Sequence, residues 1–276
     1  FFDVNLEGRK VEVKDGESLS LGEHNLTFVC APMVHWPEVM VAYESSEKVL
    51  FAADAFGKFG AISKYDGDWA CEARRYYFNI CGKYGVQVQS LLKKAAALDI
   101  KTIAPLHGPV LKENLGYYID LYNTWSSYGV ESEGVLVAFA SIHGNTRKAA
   151  EKIASILEKQ GAKKVVVSDL TRDDEAEVIE DAFRYGRMII AAPTYDGGLF
   201  PPMESFLSHL KSKNYQKRTV GIIENGTWAP MSGKLMKAAL ESMKEIKICD
   251  TVVTIKSALK AEQEDSLVAL AKEVLA

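Results

Sequence analysis

The sequence predicts an α/β protein of two domains whose C-terminal half is a doubly wound parallel sheet. Three observations lead there. At 276 residues the chain is long for one domain and natural for two. From about Ser132 onward, five short apolar runs alternate with five helical stretches. The first of those runs, Val135–Ala140, is continuously apolar, as expected for a parallel strand covered on both faces.

The elements follow in order. Lys10–Lys14, Leu26–Ala31, Val39–Tyr43 and Lys48–Ala52 read as strands, rich in Val, Phe and Leu and separated by Gly, Asp, Pro and Ser turns. Glu72 to Asp99 is helical, with Leu91, Leu92, Ala95 and Leu98 on one stripe. A strand over Lys101–Pro105 and a helix over Tyr117–Ser126 complete the first half, which lacks βαβ regularity. A short polar linker near Tyr128–Gly134 divides the chain into residues 1–131 and 132–276. Beyond it, Asn145–Gln160 is a helix with Ala149, Ala150, Ile153, Ala154 and Leu157 inward and Gly161 as its stop. Strand Lys164–Ser168, helix Ala176–Tyr185, strand Met188–Ala192, helix Met203–Leu210, strand Thr219–Glu224, helix Met231–Met243, strand Thr251–Ile255 and a helix from about Glu262 follow.

Composition narrows the function. The chain is 47% hydrophobic and 25% charged, and its 33 basic against 37 acidic residues give a formal charge of −4. That balance argues against nucleic acid as a partner, since phosphate-backbone binding relies on clustered Lys and Arg. No apolar run approaches the roughly 20 residues that cross a bilayer, and no signal peptide is visible. Cys30, Cys71, Cys81 and Cys249 form no C-x-x-C pair, which excludes a rubredoxin-type iron site or a zinc ribbon and fits free thiols in a cytoplasmic protein. The chain begins Phe1-Phe2-Asp3-Val4 without an initiator Met, which predicts a piece of a longer sequence.

Three loops stand at the C-terminal ends of parallel strands, where open α/β sheets bind ligands. Ser141-Ile142-His143-Gly144-Asn145-Thr146 joins a buried strand to a helix N-terminus. Gly144 lets the backbone approach a phosphate, Ser141 and Thr146 offer hydroxyls, and the helix start offers amide donors and a favourable dipole. The loop holds no Lys or Arg, unlike a Walker-type loop, so its donors are neutral. Pro193-Thr194-Tyr195-Asp196-Gly197-Gly198 follows the third strand and Asn225-Gly226-Thr227-Trp228-Ala229 the fourth, each with an aromatic able to cover a ring. This half resembles the flavodoxin family, whose phosphate loop is [S/T]-x-[S/T]-G-N-[S/T]. The sequence departs at His143, where an imidazole either replaces a hydroxyl donor or faces solvent at the lip of the loop. The resemblance implies FMN, lined by 193–198 and 225–229, with Trp228 or Tyr195 stacked on the isoalloxazine.

In the first half, three polar residues each end an apolar run: His35 in Met33-Val34-His35-Trp36-Pro37, Asp54 in Phe51-Ala52-Ala53-Asp54-Ala55-Phe56-Gly57, and His107 in Pro105-Leu106-His107-Gly108-Pro109. Two imidazoles and a carboxylate suit a first-row metal, and a carboxylate can bridge two ions. A cap at the Asp and ordinary surface histidines are the competing reading. In this order and ahead of a flavodoxin-like domain, these motifs closely resemble the flavodiiron proteins. That resemblance implies an α/β chain with a C-terminal doubly wound flavodoxin-like five-stranded parallel sheet, preceded by the C-terminal part of a metallo-β-lactamase-like αββα domain. It also implies that His35, Asp54 and His107 ligate a non-haem diiron centre, with Asp54 as the bridge.

One departure is large. The family's earlier ligand motif, H-x-E-x-D-H, is absent upstream of His35, where the one other histidine is His24. With roughly half the ligands gone, these residues are not expected to hold a full diiron site. Residues 1 to about 130 alone are expected to expose apolar faces and strand edges, whereas the flavodoxin-like half should fold alone. The resemblance implies an oxidoreductase that takes electrons into FMN from rubredoxin or a reduced cofactor and passes them to diiron, reducing O2 to water or NO to nitrous oxide. It further implies a head-to-tail homodimer or a dimer of dimers. An FMN electron carrier with a non-functional metal domain, or a metallo-β-lactamase-type hydrolase, are the alternatives.

Overall fold

The structure is a computed structural model, and it describes residues 3–64 and 68–276. The chain divides into two compact units, one of residues 1–73 and 84–123, the other of residues 74–83 and 124–276.

The first unit is built on a five-stranded sheet: β1 (Ser18–Ser20), β2 (Asn25–Cys30), β3 (Met40–Glu44), β4 (Val49–Phe51) and β5 (Thr102–Ala104), side by side in chain order. The first four pair antiparallel, and β4 and β5 pair parallel with Leu50 opposite Ile103. Along the chain between β4 and β5 run α1 (Ala70–Ile80), which from Arg74 onward belongs to the second unit, and α2 (Gly85–Ala95), and α3 (Leu115–Ser126) follows β5. The single helix expected from Glu72 to Asp99 is interrupted by a 3-10 turn over Gly82–Tyr84, where two glycines in four residues weaken helix propensity.

The strand expected at Lys10–Lys14 does not form. Its alternating Lys-Val-Glu-Val-Lys pattern pairs with no strand among the described residues, and Val11 is exposed. The chain turns instead at Lys14, whose N–H donates to Glu17 Oε2 at 2.7 Å while its carbonyl accepts the Glu17 N–H at 3.0 Å. The first strand is Ser18–Ser20, recruited by register against Asn25–Thr27 rather than by an apolar run of its own.

The second unit carries β6 (Ser132–Phe139), α4 (Asn145–Lys159), β7 (Val165–Asp169), α5 (Glu175–Arg184), β8 (Tyr185–Tyr195), the short β9 (Gly198–Leu199), α6 (Pro201–Ser212), β10 (Arg218–Asn225), α7 (Ser232–Glu241), β11 (Ile246–Ile255) and α8 (Glu264–Leu275). Five strands form a wholly parallel sheet in the order β7-β6-β8-β10-β11, and β9 adds an antiparallel turn onto the end of β8. In units of strand number this is the order 2-1-3-4-5, with its switch point between β6 and β8. The order along the chain is thus kept from β8 to β11 and reversed at β6 and β7, where the chain first winds one way from β6 to β7 and then crosses back to β8.

The core explains why the pattern was readable. Val135, Val137 and Phe139 of β6 are buried against Ala149, Ile153 and Leu157 of α4 and Leu267, Leu270 and Val274 of α8. Those helical positions recur every three or four residues and present one apolar face. Gly161, at φ +92°, ends α4: its N–H bonds the Glu158 carbonyl and the Ala162 N–H bonds the Leu157 carbonyl. All four cysteines are free, and burial pushes the Cys249 thiol on β11 up to about 11. Among the described residues no helix is long and apolar enough to cross a membrane.

Candidate functional site

The parallel sheet aims its C-terminal strand ends at one cleft of about 270 Å³, next to the switch point. Ser141, Ile142, His143, Asn145 and Thr146 line it from the loop after β6, Pro193 and Thr194 from the end of β8, and Asn225, Gly226 and Thr227 from the end of β10. A fourth loop, after β11, contributes Ser257. Sequence reasoning stopped at three loops and missed it. Applying the same strand-end rule to β11, whose run ends Ile255-Lys256-Ser257, would have found it.

The local chemistry fits a phosphate held by neutral donors. Gly144 sits at φ +84° as the N-cap of α4, no side chain caps the first turn, and a Cβ there would meet open space. The helix start therefore faces the cleft with its amides and the positive end of its dipole. Ser141 Oγ accepts the Gly144 N–H at 3.0 Å, which tightens the loop. Arg147, in the first turn of α4, is paired with the buried Asp169 and lies over the Phe139 ring, and no Lys or Arg is among the residues lining the cleft. His143 is exposed and lies on the wall of the cleft.

The other two loops are held by their own bonds. Thr194 Oγ1 accepts the N–H groups of Met231 and Ser232 at 2.8 and 3.0 Å, capping α7. Glu224 accepts the Gly233 N–H and the Thr254 hydroxyl. Gly226 is required by packing, since a Cβ would meet Pro230 Cα at 2.8 Å. The two aromatics do not line the cleft: Trp228 is 91% exposed and Tyr195 51%. Tyr195, Asp196 and Gly198 line a second cavity of about 620 Å³ over α6 and α7. Gly197 and Ala229 line neither cavity.

In the first unit the sheet brings His35, Asp54 and His107 together from three separate loops. His107 Nε2 lies 3.4 Å from Asp54 Oδ1, and His35 Nε2 lies 3.6 Å from Asp54 Oδ2. The parallel pairing of β4 and β5 continues into the loops, where Ala52 N–H donates to the Ala104 carbonyl and Leu106 N–H to the Ala53 carbonyl at 2.8 Å. Those bonds set Asp54 beside His107. The backbone here is strained: Met33, Ala53 and Phe56 adopt φ of 65°, 49° and 63°, left-handed values that non-glycine residues avoid and that concentrate at functional sites. The Phe56 N–H donates to the buried Tyr122 hydroxyl at 2.7 Å, which braces the Asp54 loop from α3. Gly108 is at φ +91°, and a Cβ there would meet Lys58 Cγ at 2.7 Å.

Each imidazole faces a different carboxylate oxygen. Two atoms sharing one ion at bonds of roughly 2.0–2.2 Å lie about 3.0–3.6 Å apart, so each His–oxygen pair has the spacing to share a metal. Among the described residues no group of three or more His, Cys, Asp or Glu side chains closes around a single ion. The two findings agree if Asp54 lies between two metal positions, with two of these donors at each. That fits part of a bridged two-metal centre and leaves each ion short of the usual number of ligands.

Residues 136–255 match the flavodoxin domain family and residues 1–108 match the ODP family of β-lactamases. An uncharacterized protein of Methanocaldococcus jannaschii is 30% identical over 203 residues, which are 72% of this chain and 51% of that protein. A nitric oxide reductase of Moorella thermoacetica is 28% identical over 273 residues, 96% of this chain and 68% of the reductase. The chain thus spans about half the length of the first relative and about two thirds of the second. Among solved structures, the rubredoxin oxygen:oxidoreductase of Desulfovibrio gigas superposes with a TM-score of 0.88 at 25% identity over 95% of this chain and 67% of its own. The flavodiiron protein of Giardia intestinalis shares the fold, with a TM-score of 0.89 at 23% identity over 96% and 68% of the two chains. FMN and a diiron centre are the cofactors these matches imply. With a β-lactamase-like unit ahead of a flavodoxin domain, the chain belongs to the flavodiiron proteins.

Proposed function

We propose that this chain is the FMN-carrying part of an oxidoreductase that reduces O2 to water, NO to nitrous oxide, or both, with electrons from a separate donor such as rubredoxin or a reduced cofactor. The observation that carries the reading is that one chain holds both a cation-free, four-loop cleft behind Gly144 and a carboxylate, Asp54, with an imidazole on each oxygen. When bound, FMN supplies exchange of single electrons and iron supplies binding and activation of a small diatomic. The chain's own residues do the rest. The amides of the α4 N-terminus and the hydroxyls of Ser141, Thr146, Thr227 and Ser257 would hold the phosphate. Residues 193–198 and 225–229 would line the ring, with Trp228 or Tyr195 swung over its face. His35 and His107 would each hold one iron, and Asp54 both. The assembly is a head-to-tail homodimer or a dimer of dimers. The oxygen and nitric oxide chemistry named for the Desulfovibrio and Moorella proteins supports the two substrates.

One observation favours a second reading. With no group of three donors closing on one ion among the described residues, the chain could act as an FMN electron carrier whose metal unit is silent. FMN and iron analysis of the purified protein, followed by O2 and NO uptake with reduced rubredoxin, separates the two. Flavin with stoichiometric iron and uptake supports the reductase, and flavin without iron supports the carrier. A colourless protein that takes up no FMN on reconstitution sinks both.

A further inference from the structure

Asn225 closes β10 and is buried. Its side-chain amide is fully engaged within the protein. Oδ1 accepts the Ser257 N–H at 3.0 Å, while Nδ2 donates to the Ser257 carbonyl at 2.9 Å and to Thr146 Oγ1 at 3.3 Å. A primary amide has two N–H donors, and both are used. Ser257 is held at φ +70°, and its Oγ lies 3.5 Å from Asn145 Nδ2. The Gly226 N–H to Ile255 carbonyl bond, at 3.0 Å, closes the same junction. One side chain thereby ties the ends of β10 and β11 to the first turn of α4.

The consequence falls on Thr146, which is 2% exposed. A hydroxyl has one O–H and two lone pairs. With Asn225 donating into a lone pair, the O–H must point elsewhere, and no acceptor among the described residues takes it. Thr146 lines the cleft. We propose that Asn225 is a positioning residue of the flavin phosphate site: it aims the Thr146 O–H at the phosphate and locks the loop after β11 as the fourth wall. This rests on the flavodoxin reading of the cleft. In that arrangement the Asn225 side-chain amide is spent on Thr146 and Ser257 and gives the flavin no hydrogen bond of its own, so its loss is felt at the phosphate end, where Thr146 and Ser257 stand.

FMN and riboflavin differ by the phosphate alone, so the ratio of their dissociation constants isolates its contribution. The full chain, freed of flavin, is titrated with each by quenching of flavin fluorescence. Asn225→Ala is expected to weaken FMN binding by about tenfold or more, the loss of one hydrogen bond to a charged group. Riboflavin binding should change by less than about twofold. Thr146→Val should give the same loss, and the double variant no further loss, since both changes remove one oriented hydroxyl. Asn225→Ser removes both amide donors without adding a charge beside the phosphate, so it tests the same point should the alanine variant fail to fold. Losses that are proportional for the two flavins, or additive in the double variant, overturn the proposal. A native chain that binds FMN and riboflavin equally overturns the underlying phosphate-site reading instead.

Discussion

Arg74→Met is expected to destabilise the second unit more than any surface change. Arg74 is 2% exposed. It donates through Nε and Nη2 to the two oxygens of Glu131, at 2.6 and 2.7 Å, and through Nη1 to Glu180 at 3.0 Å. Trp125 Nε1 adds a bond to Glu131 at 2.7 Å, and Arg184 stands 3.9 Å from the same carboxylate. Methionine fills much of the arginine's volume, so the loss is chiefly electrostatic. Removing one partner of a buried ion pair costs about 3–5 kcal/mol because the other charge stays buried without compensation. Arg184 offsets part of this at Glu131. A loss near 3 kcal/mol is therefore the expectation. Urea unfolding of the native and variant chains at pH 7 measures the loss. Replacing Glu131 and Glu180 as well with leucine should recover most of the loss, since an apolar cluster of similar volume is neutral or stabilising. A loss under about 1 kcal/mol at pH 7 would refute the reasoning.

Gly144→Ala should cost about 1–2 kcal/mol from its φ of +84° and weaken FMN binding, both read from urea melts and flavin fluorescence of one preparation. Tyr122→Phe keeps the ring, tilted against Phe56 with centroids 4.4 Å apart, and removes the acceptor for the buried Phe56 N–H. It should destabilise the first unit by about 1–3 kcal/mol, and cobalt titration should show weaker absorption bands from the Asp54 site. Glu44 accepts the N–H groups of Glu47 and Ser46, at 2.6 and 2.9 Å, and contacts His24 Nδ1, which together hold its carboxyl at about 2. Because that value is depressed in the fold, its stabilisation is present above the ordinary value of 4.5 and is lost as pH falls through about 2. Glu44→Gln should flatten the acid limb of a pH-dependent unfolding curve between those two values.

Much of this protein was legible before any coordinate. The alternation from β6 to α8 reads directly from apolar periodicity, because a parallel sheet with helices on both faces forces every strand to be apolar and every helix to carry one stripe. The loops at 141–146, 193–198 and 225–229 were found by the same logic, since the ends of such strands are where the backbone is free to meet a ligand. His35, Asp54 and His107 could be named from their place at strand ends, but nothing in a linear sequence said that they meet. The parallel register of β4 and β5 and the Leu106–Ala53 bond decided that, and both join residues some fifty positions apart. The false strand at Lys10–Lys14 and the unforeseen one at Ser18–Ser20 show the same limit, because a strand exists only where an edge accepts it. Ser257 and Asn225 make the point within the cleft. Periodicity placed Asn225 at a strand end and passed over Ser257, and the amide that joins β10, β11 and α4 is a contact between elements adjacent in space and distant along the chain. Local pattern is set by neighbours in sequence, and so the sequence could declare it. Which side chain closes on which is set by the packed sheet, and only the tertiary structure could decide it.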